Sequence, residues 1–174
     1  MSLQIRPTTL ADLPAITEIY RHAVLHGTAT FELEPPDVAE MTRRYEALIA
    51  EGFPYLVAVL DDTVIGYAYA GPYRARPAYR FSVENSVYLA PAAQGKGAGT
   101  ELMQVLIAES EKRGYRLMVA VIGDSANLAS IGVHRRTGFE MVGTLQNVGL
   151  KFGRWLDTVL MQRSLGEGSG TIPK

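Results

Sequence analysis

The chain has 174 residues, enough for one domain with a buried core. Seventeen Lys and Arg against eighteen Asp and Glu leave a formal charge of −1, which excludes a global attraction to nucleic acid or anionic lipid. The absence of cysteine excludes a disulfide framework, a cysteine zinc site, a thiol nucleophile and an iron–sulfur site.

Ile5 opens a short strand that Pro7 stops. Thr9 and Asp12 then form a capping-box pattern, and Leu13, Ile16, Tyr20, Ala23 and Val24 recur at helical spacing. Pro14 is tolerated only in the first turn, so this helix starts close to it. A second helix begins with Asp37 and Glu40, carries the stripe Val38, Met41, Tyr45, Leu48 and Ile49, and stops at Gly52. Tyr55 to Leu60 and Val64 to Ala70 read as strands joined across Asp61-Asp62-Thr63. A third strand of this group, Phe81 to Leu89, ends before Pro91. A helix follows from about Ala98, with Leu102, Val105, Leu106 and Ile107 inward and Gly114 beyond its end. Tyr115 to Ile122 is almost continuously apolar, as expected of a central strand covered on both faces. A short helix from Asn127 to about Thr137 and two strands, Glu140 to Leu145 and Trp155 to Met161, complete the order. The pattern β-α-α-β-β-β-α-β-α-β-β predicts an α/β fold with a mixed sheet and helices on both faces. One domain is expected over residues 1–165, and the glycine-rich segment 166–174 is expected to be a disordered tail.

No run approaches the roughly 18 apolar residues of a membrane helix, so no membrane partner is expected. Met1-Ser2-Leu3-Gln4 lacks the basic-then-apolar build of a leader, which predicts a cytoplasmic protein; Met1-Ser2-Leu3 also fits a cloning remnant. His22, His26 and His134 are too few and too scattered to predict a metal. His22 and His26 stand at i and i+4, but no third ligand accompanies them.

The stretch that carries chemistry is Ser86-Val87-Tyr88-Leu89-Ala90-Pro91-Ala92-Ala93-Gln94-Gly95-Lys96-Gly97-Ala98-Gly99-Thr100. A strand runs into a loop of alternating glycines that opens an amphipathic helix. Glycines let successive N–H groups converge without Cβ interference, and the helix N-terminus adds a favourable dipole, which together suit a pyrophosphate. A P-loop would need Ser or Thr after Lys96, where Gly97 stands. A dinucleotide fingerprint would need glycine at Thr100.

What remains, Gln94-x-x-Gly97-x-Gly99, resembles the Q/R-x-x-G-x-G/A element by which GNAT-superfamily N-acetyltransferases hold coenzyme A. Downstream, Asn127-Leu128-Ala129-Ser130-Ile131-Gly132-Val133-His134-Arg135-Arg136-Thr137-Gly138-Phe139 resembles the superfamily's N-x-x-(A/S)-x-x-(L/F)-(Y/H)-x-x-x-G-F helix and turn. The resemblance runs from Ile5 to about Leu165. It is nearest to the phosphinothricin and methionine sulfoximine N-acetyltransferase group, through Thr30-Phe31-Glu32, Gly66 to Ala70, Tyr73-Arg74, Val83 to Tyr88 and Lys151 to Asp157. It implies a sheet that splays after its fourth strand, with acetyl-CoA as cosubstrate and no metal. The pantetheine arm would meet the backbone at Val87 and Leu89, beside Tyr88. The pyrophosphate would lie on Gly95, Lys96, Gly97, Ala98, Gly99 and Thr100, with Asn127 and Ser130 on the cofactor side. Ser130, in a first helical turn, also suits a bond to its own backbone. A small-molecule amine as acceptor and a homodimer are further implications.

Transfer to an amine needs a base to take its proton and a donor to help the leaving thiolate. Glu84 shares a strand face with Ser86 and Tyr88, and the resemblance implies that it is the base. Many superfamily members have a tyrosine acid where this chain has His134, which reads either as a donor or as a packed histidine. Arg74, Ala75 and Arg76 lie in a proline-bounded loop ahead of Glu84, where a guanidinium could hold a substrate carboxylate in a fork. Asn85, Ser86 and Phe31 complete the expected acceptor pocket. Lys151 and Arg154 read as a basic entry or a dimer contact.

Overall fold

The computed structural model describes residues 2–174. In chain order it contains β1 (Leu3–Pro7), α1 (Leu13–His26), α2 (Val38–Ala50), β2 (Tyr55–Leu60), β3 (Thr63–Pro72), β4 (Ser82–Leu89), α3 (Ala98–Lys112), β5 (Leu117–Gly123), α4 (Leu128–Arg136), β6 (Glu140–Lys151) and β7 (Arg154–Ser164). The strands form one 7-stranded sheet in the order β1-β2-β3-β4-β5-β7-β6. Every neighbouring pair is antiparallel except β4 and β5. The predicted α/β order of elements is therefore the one observed.

Local chemistry explains the boundaries. The Thr9 N–H donates to the Asp12 carboxylate at 2.8 Å, and the Arg6 guanidinium grips the same carboxylate with two bonds of 2.8 Å. That fork holds the Asp12 pKa down at about 2 and ties β1 to the start of α1. The Asp37 side chain accepts the Glu40 N–H at 2.8 Å and caps α2. Asp61 and Asp62 both take positive φ, 46° and 61°, the geometry that matches the twist of a tight hairpin between β2 and β3.

Two differences from the expected pattern have clear causes. Val38 and Ile49, placed on the inward stripe of α2, are exposed, because the helix meets the sheet through Met41, Tyr45 and Leu48 and leaves its two ends outside that contact. β6 continues well past Leu145, through register shifts at Met141/Gly143 and Leu145/Gly149. Those bulges break the period-2 alternation by which a strand is read.

The core lies on both faces of the sheet. Leu102, Met103 and Leu106 of α3 pack with Met118 and Ala120 on one face. On the other, Leu13, Ile16 and Tyr20 of α1 and Met41 and Tyr45 of α2 cover Tyr55, Val57 and Tyr67. Beyond β7, where composition predicts a disordered tail, the chain turns back: the Gly166 N–H donates to Glu111 at 3.1 Å and Arg116 donates to the Gly168 carbonyl at 3.1 Å. Among the described residues no helix is long and apolar enough to cross a membrane.

The feature that positions the site is a parting of strands. β4 pairs with β5 only from Ser82 to Glu84, against Leu117 to Val119. From Asn85 to Leu89, β4 stays paired with β3, while β5 stays with β7 as far as Gly123. The sheet is thus a V that opens at Glu84.

Candidate active site

The open edge of β4 has a definite polarity. The Ala90 N–H donates to Ile65 and the Ser82 carbonyl accepts from Tyr73, so the even-numbered residues direct their backbone groups toward β3. The Phe81 carbonyl accepts from Arg116 ahead of β5, so the odd-numbered residues face the other way. Past Glu84 the backbone groups of Val87 and Leu89 therefore point into the gap, with no strand to pair them.

At the end of the gap lies the glycine loop. Gly95 and Gly97 have φ of 74° and 92°, and Gly97 is the N-cap of α3. A Cβ at either position would meet nothing within 4 Å, so the requirement for glycine there is conformational and not one of space. The Thr100 and Glu101 N–H groups return to the Gly97 carbonyl, while those of residues 95–99 have no acceptor in the chain. A row of free N–H groups at the start of a 15-residue helix is a seat for a phosphate group. Ala98 and Gly99 are buried behind it, and Gln94 and Lys96 are exposed beside it.

A cleft of about 260 Å³ sits at the mouth of the V. It gathers Phe31, Glu84, Asn85, Ser86, Val87, Tyr88, Asn127, Ser130 and His134 from the expected set, and adds Ala29, Thr30, Val121, Ile122, Gly123 and Thr158. Leu89 packs into the core beside it. Burial raises the Glu84 carboxyl above its ordinary range, and the Arg74 charge partly offsets that. Arg74, Ala75 and Arg76 are exposed on the β3–β4 loop and do not line the cleft. Arg74 stacks over the Tyr73 ring at 5.2 Å, and Arg76 precedes a single 3-10 turn at Pro77–Tyr79.

His134 is buried, and both ring nitrogens are engaged within the chain. Nδ1 lies 2.8 Å from the Ser130 carbonyl and Nε2 lies 3.0 Å from Asn85 Oδ1. Asn85 in turn donates through Nδ2 to the Val119 carbonyl at 3.3 Å. Val119 is the last residue of β5 paired with β4, so the Asn85 side chain takes up the carbonyl at which the ladder stops. Both nitrogens are thus held by groups of the chain, and burial pushes the His134 pKa down. Asn127 is similarly occupied: Oδ1 accepts the Ser130 N–H at 3.2 Å and Nδ2 donates to the Gly123 carbonyl at 3.3 Å. It caps α4 at the cleft wall. His22 and His26 stack at the end of α1, and no group of three or more metal-binding side chains gathers among the described residues.

Sequence reasoning missed the polar layer under α1 and α2. Tyr20 bonds to Thr30 at 2.9 Å and to Glu32, and Arg44 grips Glu32 at 2.8 and 3.0 Å. Lys151, expected at an entry or an interface, is buried and donates to the Thr30 carbonyl at 2.8 Å. The Thr30-Phe31-Glu32 triplet pointed to this layer; nothing in helical or strand spacing pointed to Arg44 or Lys151.

A splayed mixed sheet with free N–H groups at the opening of the following helix, and a half-buried carboxylate where the strands part, defines an acyl-transfer class of protein. A family model described as the acetyltransferase (GNAT) domain matches residues 5–160. The chain belongs to the GNAT acetyltransferase family and is an N-acetyltransferase. It is 53% identical over 163 residues to phosphinothricin N-acetyltransferase of Alcaligenes faecalis, covering 94% of this chain and 83% of the relative. It is 45% identical over 166 residues to the L-methionine sulfoximine/L-methionine sulfone acetyltransferase of Pseudomonas paraeruginosa, covering 95% and 96%. The crystal structure of a GNAT phosphinothricin acetyltransferase from Sinorhizobium meliloti in complex with acetyl-CoA superposes with a TM-score of 0.97 at 49% identity, covering 100% of this chain and 94% of that one.

Proposed function

We propose that the protein transfers the acetyl group of acetyl-CoA to the α-amine of a small amino-acid-like acceptor, directly and within a ternary complex. The observation that carries this reading is the position of Glu84, a half-buried carboxylate at the vertex where β4 leaves β5. It borders both the cleft and the gap into which the Val87 and Leu89 backbone groups point.

In this reading the thioester supplies the activated acetyl group. The Val87 and Leu89 backbone holds the pantetheine arm as a strand would, and the N–H groups of residues 95–99 hold the pyrophosphate. Glu84 takes a proton from the acceptor ammonium, directly or through water. The freed nitrogen lone pair forms the new C–N bond as the C–S bond breaks; the nitrogen sheds its second proton to solvent to give the neutral amide, and the leaving thiolate takes one up from solvent. With no cysteine for a thiol acyl-enzyme, direct transfer is the simplest course. His134 serves in holding Asn85 across the parting strands and not as acid. Arg74, close enough to Glu84 to lower its pKa, is the anchor for an acceptor carboxylate.

The relatives' substrates support the class of acceptor, and the modest size of the cleft, about 260 Å³, favours a small molecule over a protein tail. A homodimer is supported by the apolar side chains that β6 and the start of β7 expose, among them Leu145, Val148, Leu150, Phe152 and Trp155. The protein acts in the cytoplasm, where acetyl-CoA is available.

Thiol release from acetyl-CoA, measured with phosphinothricin, methionine sulfoximine, methionine sulfone, carboxylate-free amines and a lysine peptide, tests the reading. Turnover confined to acceptors with both α-amine and carboxylate is expected. Preference for the peptide would overturn the acceptor class, and no release with any amine would mean a protein that binds coenzyme A without turnover.

A further inference from the structure

The segment between α1 and α2 contains no regular structure, yet it forms one wall of the acceptor cleft through Ala29, Thr30 and Phe31. A loop of this kind is ordinarily the mobile part of a domain. Here it is fastened from the far side of the sheet. Thr28 donates to the Asp124 carboxylate at 3.0 Å, just past the end of β5. Lys151, the last residue of β6, donates to the Thr30 carbonyl at 2.8 Å. The Phe31 ring lies in a slot that exists only because two facing positions lack side chains: a Cβ at Gly149 would stand 2.4 Å from its ring, and one at Gly123 would stand 2.9 Å from it.

Lys151 is the unusual member of this set. A lysine on an edge strand would ordinarily run its stem along the surface and leave the ammonium in water. Lys151 is 3% exposed and directs its ammonium inward. Burying an ammonium is costly unless the bonds it makes repay the lost hydration. Its partner is a backbone carbonyl, and the nearby Glu32 is already held by Arg44 and Tyr20. A methionine would fill the same volume without that cost; what the lysine adds is the bond to Thr30 and a contact of its ammonium with the exposed Phe152 ring at 5.1 Å, of which only the first reaches the cleft wall.

We infer that Lys151 is a positioning residue for the acceptor site: through the Thr30 carbonyl it fixes the Phe31 wall, and that wall sets which acceptor side chains the cleft admits. The inference rests on the acceptor reading given above and deepens it. Lys151 touches no reacting atom, so it acts on acceptor KM and selectivity and leaves the cofactor side alone.

Lys151→Met keeps the packing and removes the bond. Acceptor KM should rise about tenfold, with acetyl-CoA KM held within about twofold, since the lost contact orders the pocket equally for ground and transition states. The preference between a short and a long acceptor side chain should narrow. Phe31→Ala combined with Lys151→Met should cost little more than Phe31→Ala alone, because both changes act on the same wall. Amide hydrogen exchange needs no acceptor: in Lys151→Met the amides of residues 29–32 should exchange about tenfold faster while those of α3 and β5 do not change. Gly149→Ala perturbs the same slot without touching the lysine, and Phe31→Leu should restore its acceptor KM. Unchanged exchange at residues 29–32, equal rises in both KM values, or additivity with Phe31→Ala would overturn the inference. A wild type that acetylates no amino-acid-like acceptor would overturn the acceptor reading and the selectivity claim with it, whereas the exchange result judges the fastening by itself.

Discussion

The two halves of the cleft are built by different means. The half we assign to the cofactor is one continuous stretch, Val87 to Thr100, and it presents backbone: the unpaired edge of β4 and the free N–H groups at the head of α3. The half we assign to the acceptor draws on distant segments: Phe31 before α2 and Glu84 on β4 line it, Lys151 at the end of β6 backs it through Thr30, and Arg74 stands outside it on the β3–β4 loop. A backbone seat depends on φ values at a few glycines and tolerates change in the side chains around it. A pocket made of side chains depends on how several elements pack, and each wall can be altered separately. One family can therefore keep one cofactor and vary its acceptor.

Substitutions should separate the halves. The largest effect is expected at the vertex. Glu84→Gln should lower kcat by about 10²–10⁴-fold and leave coenzyme A affinity, read by calorimetry, nearly unchanged. The pH profile has a definite sign. Glu84 must be ionised to act and burial raises its pKa, so kcat/KM should climb with pH through a value above the ordinary carboxylate range. That limb should vanish in Glu84→Gln, and a mutant that retains it would move the base elsewhere.

Next comes the backbone seat. Gly97→Val forces a β-branched residue to φ of 92° and should weaken coenzyme A binding by roughly tenfold or more, with acceptor KM little changed. Normal affinity in a folded Gly97→Val protein would remove the glycine loop from the cofactor half. A smaller effect belongs to Arg74, which lies on an exposed loop. Arg74→Ala should raise acceptor KM about three- to tenfold at unchanged kcat, and esterifying the acceptor carboxylate should mimic it. Full sensitivity to esterification in Arg74→Ala would assign the carboxylate to another cation, with Arg76 the next to test.

The smallest effect lies outside the cleft. Asp12 has a folded pKa of about 2 against an ordinary 3.8, because of the Arg6 fork. A depressed carboxylate stabilises the fold fully above the ordinary value, and that contribution fades as pH falls toward the folded one. The thermal midpoint should drop between about pH 4 and pH 2, and Asp12→Asn should be lower at neutral pH with a shallower drop. An identical slope in the mutant would show that other carboxylates govern acid stability.

What the sequence by itself determined is what is local. The glycine spacing 95–97–99 names the phosphate seat, and alternation along Val83 to Leu89 put Glu84, Ser86 and Tyr88 on one face. Caps at Asp12 and Asp37 and the Asp61-Asp62 turn marked element ends, since each acts through bonds a few residues long. The whole-chain resemblance implied the splay and singled out Glu84 as the proposed base. Only the tertiary structure decided the rest. It engaged both nitrogens of His134, by bringing Asn85 of β4 to α4. It turned Lys151 from a surface cation into a buried tie on Thr30, across 121 residues of chain. It carried β6 past the point where alternation fails, because a bulged edge strand is defined by its partner and not by its own period. Periodicity reports which way a side chain leaves its own element; what it meets there depends on the packing of elements far apart in sequence.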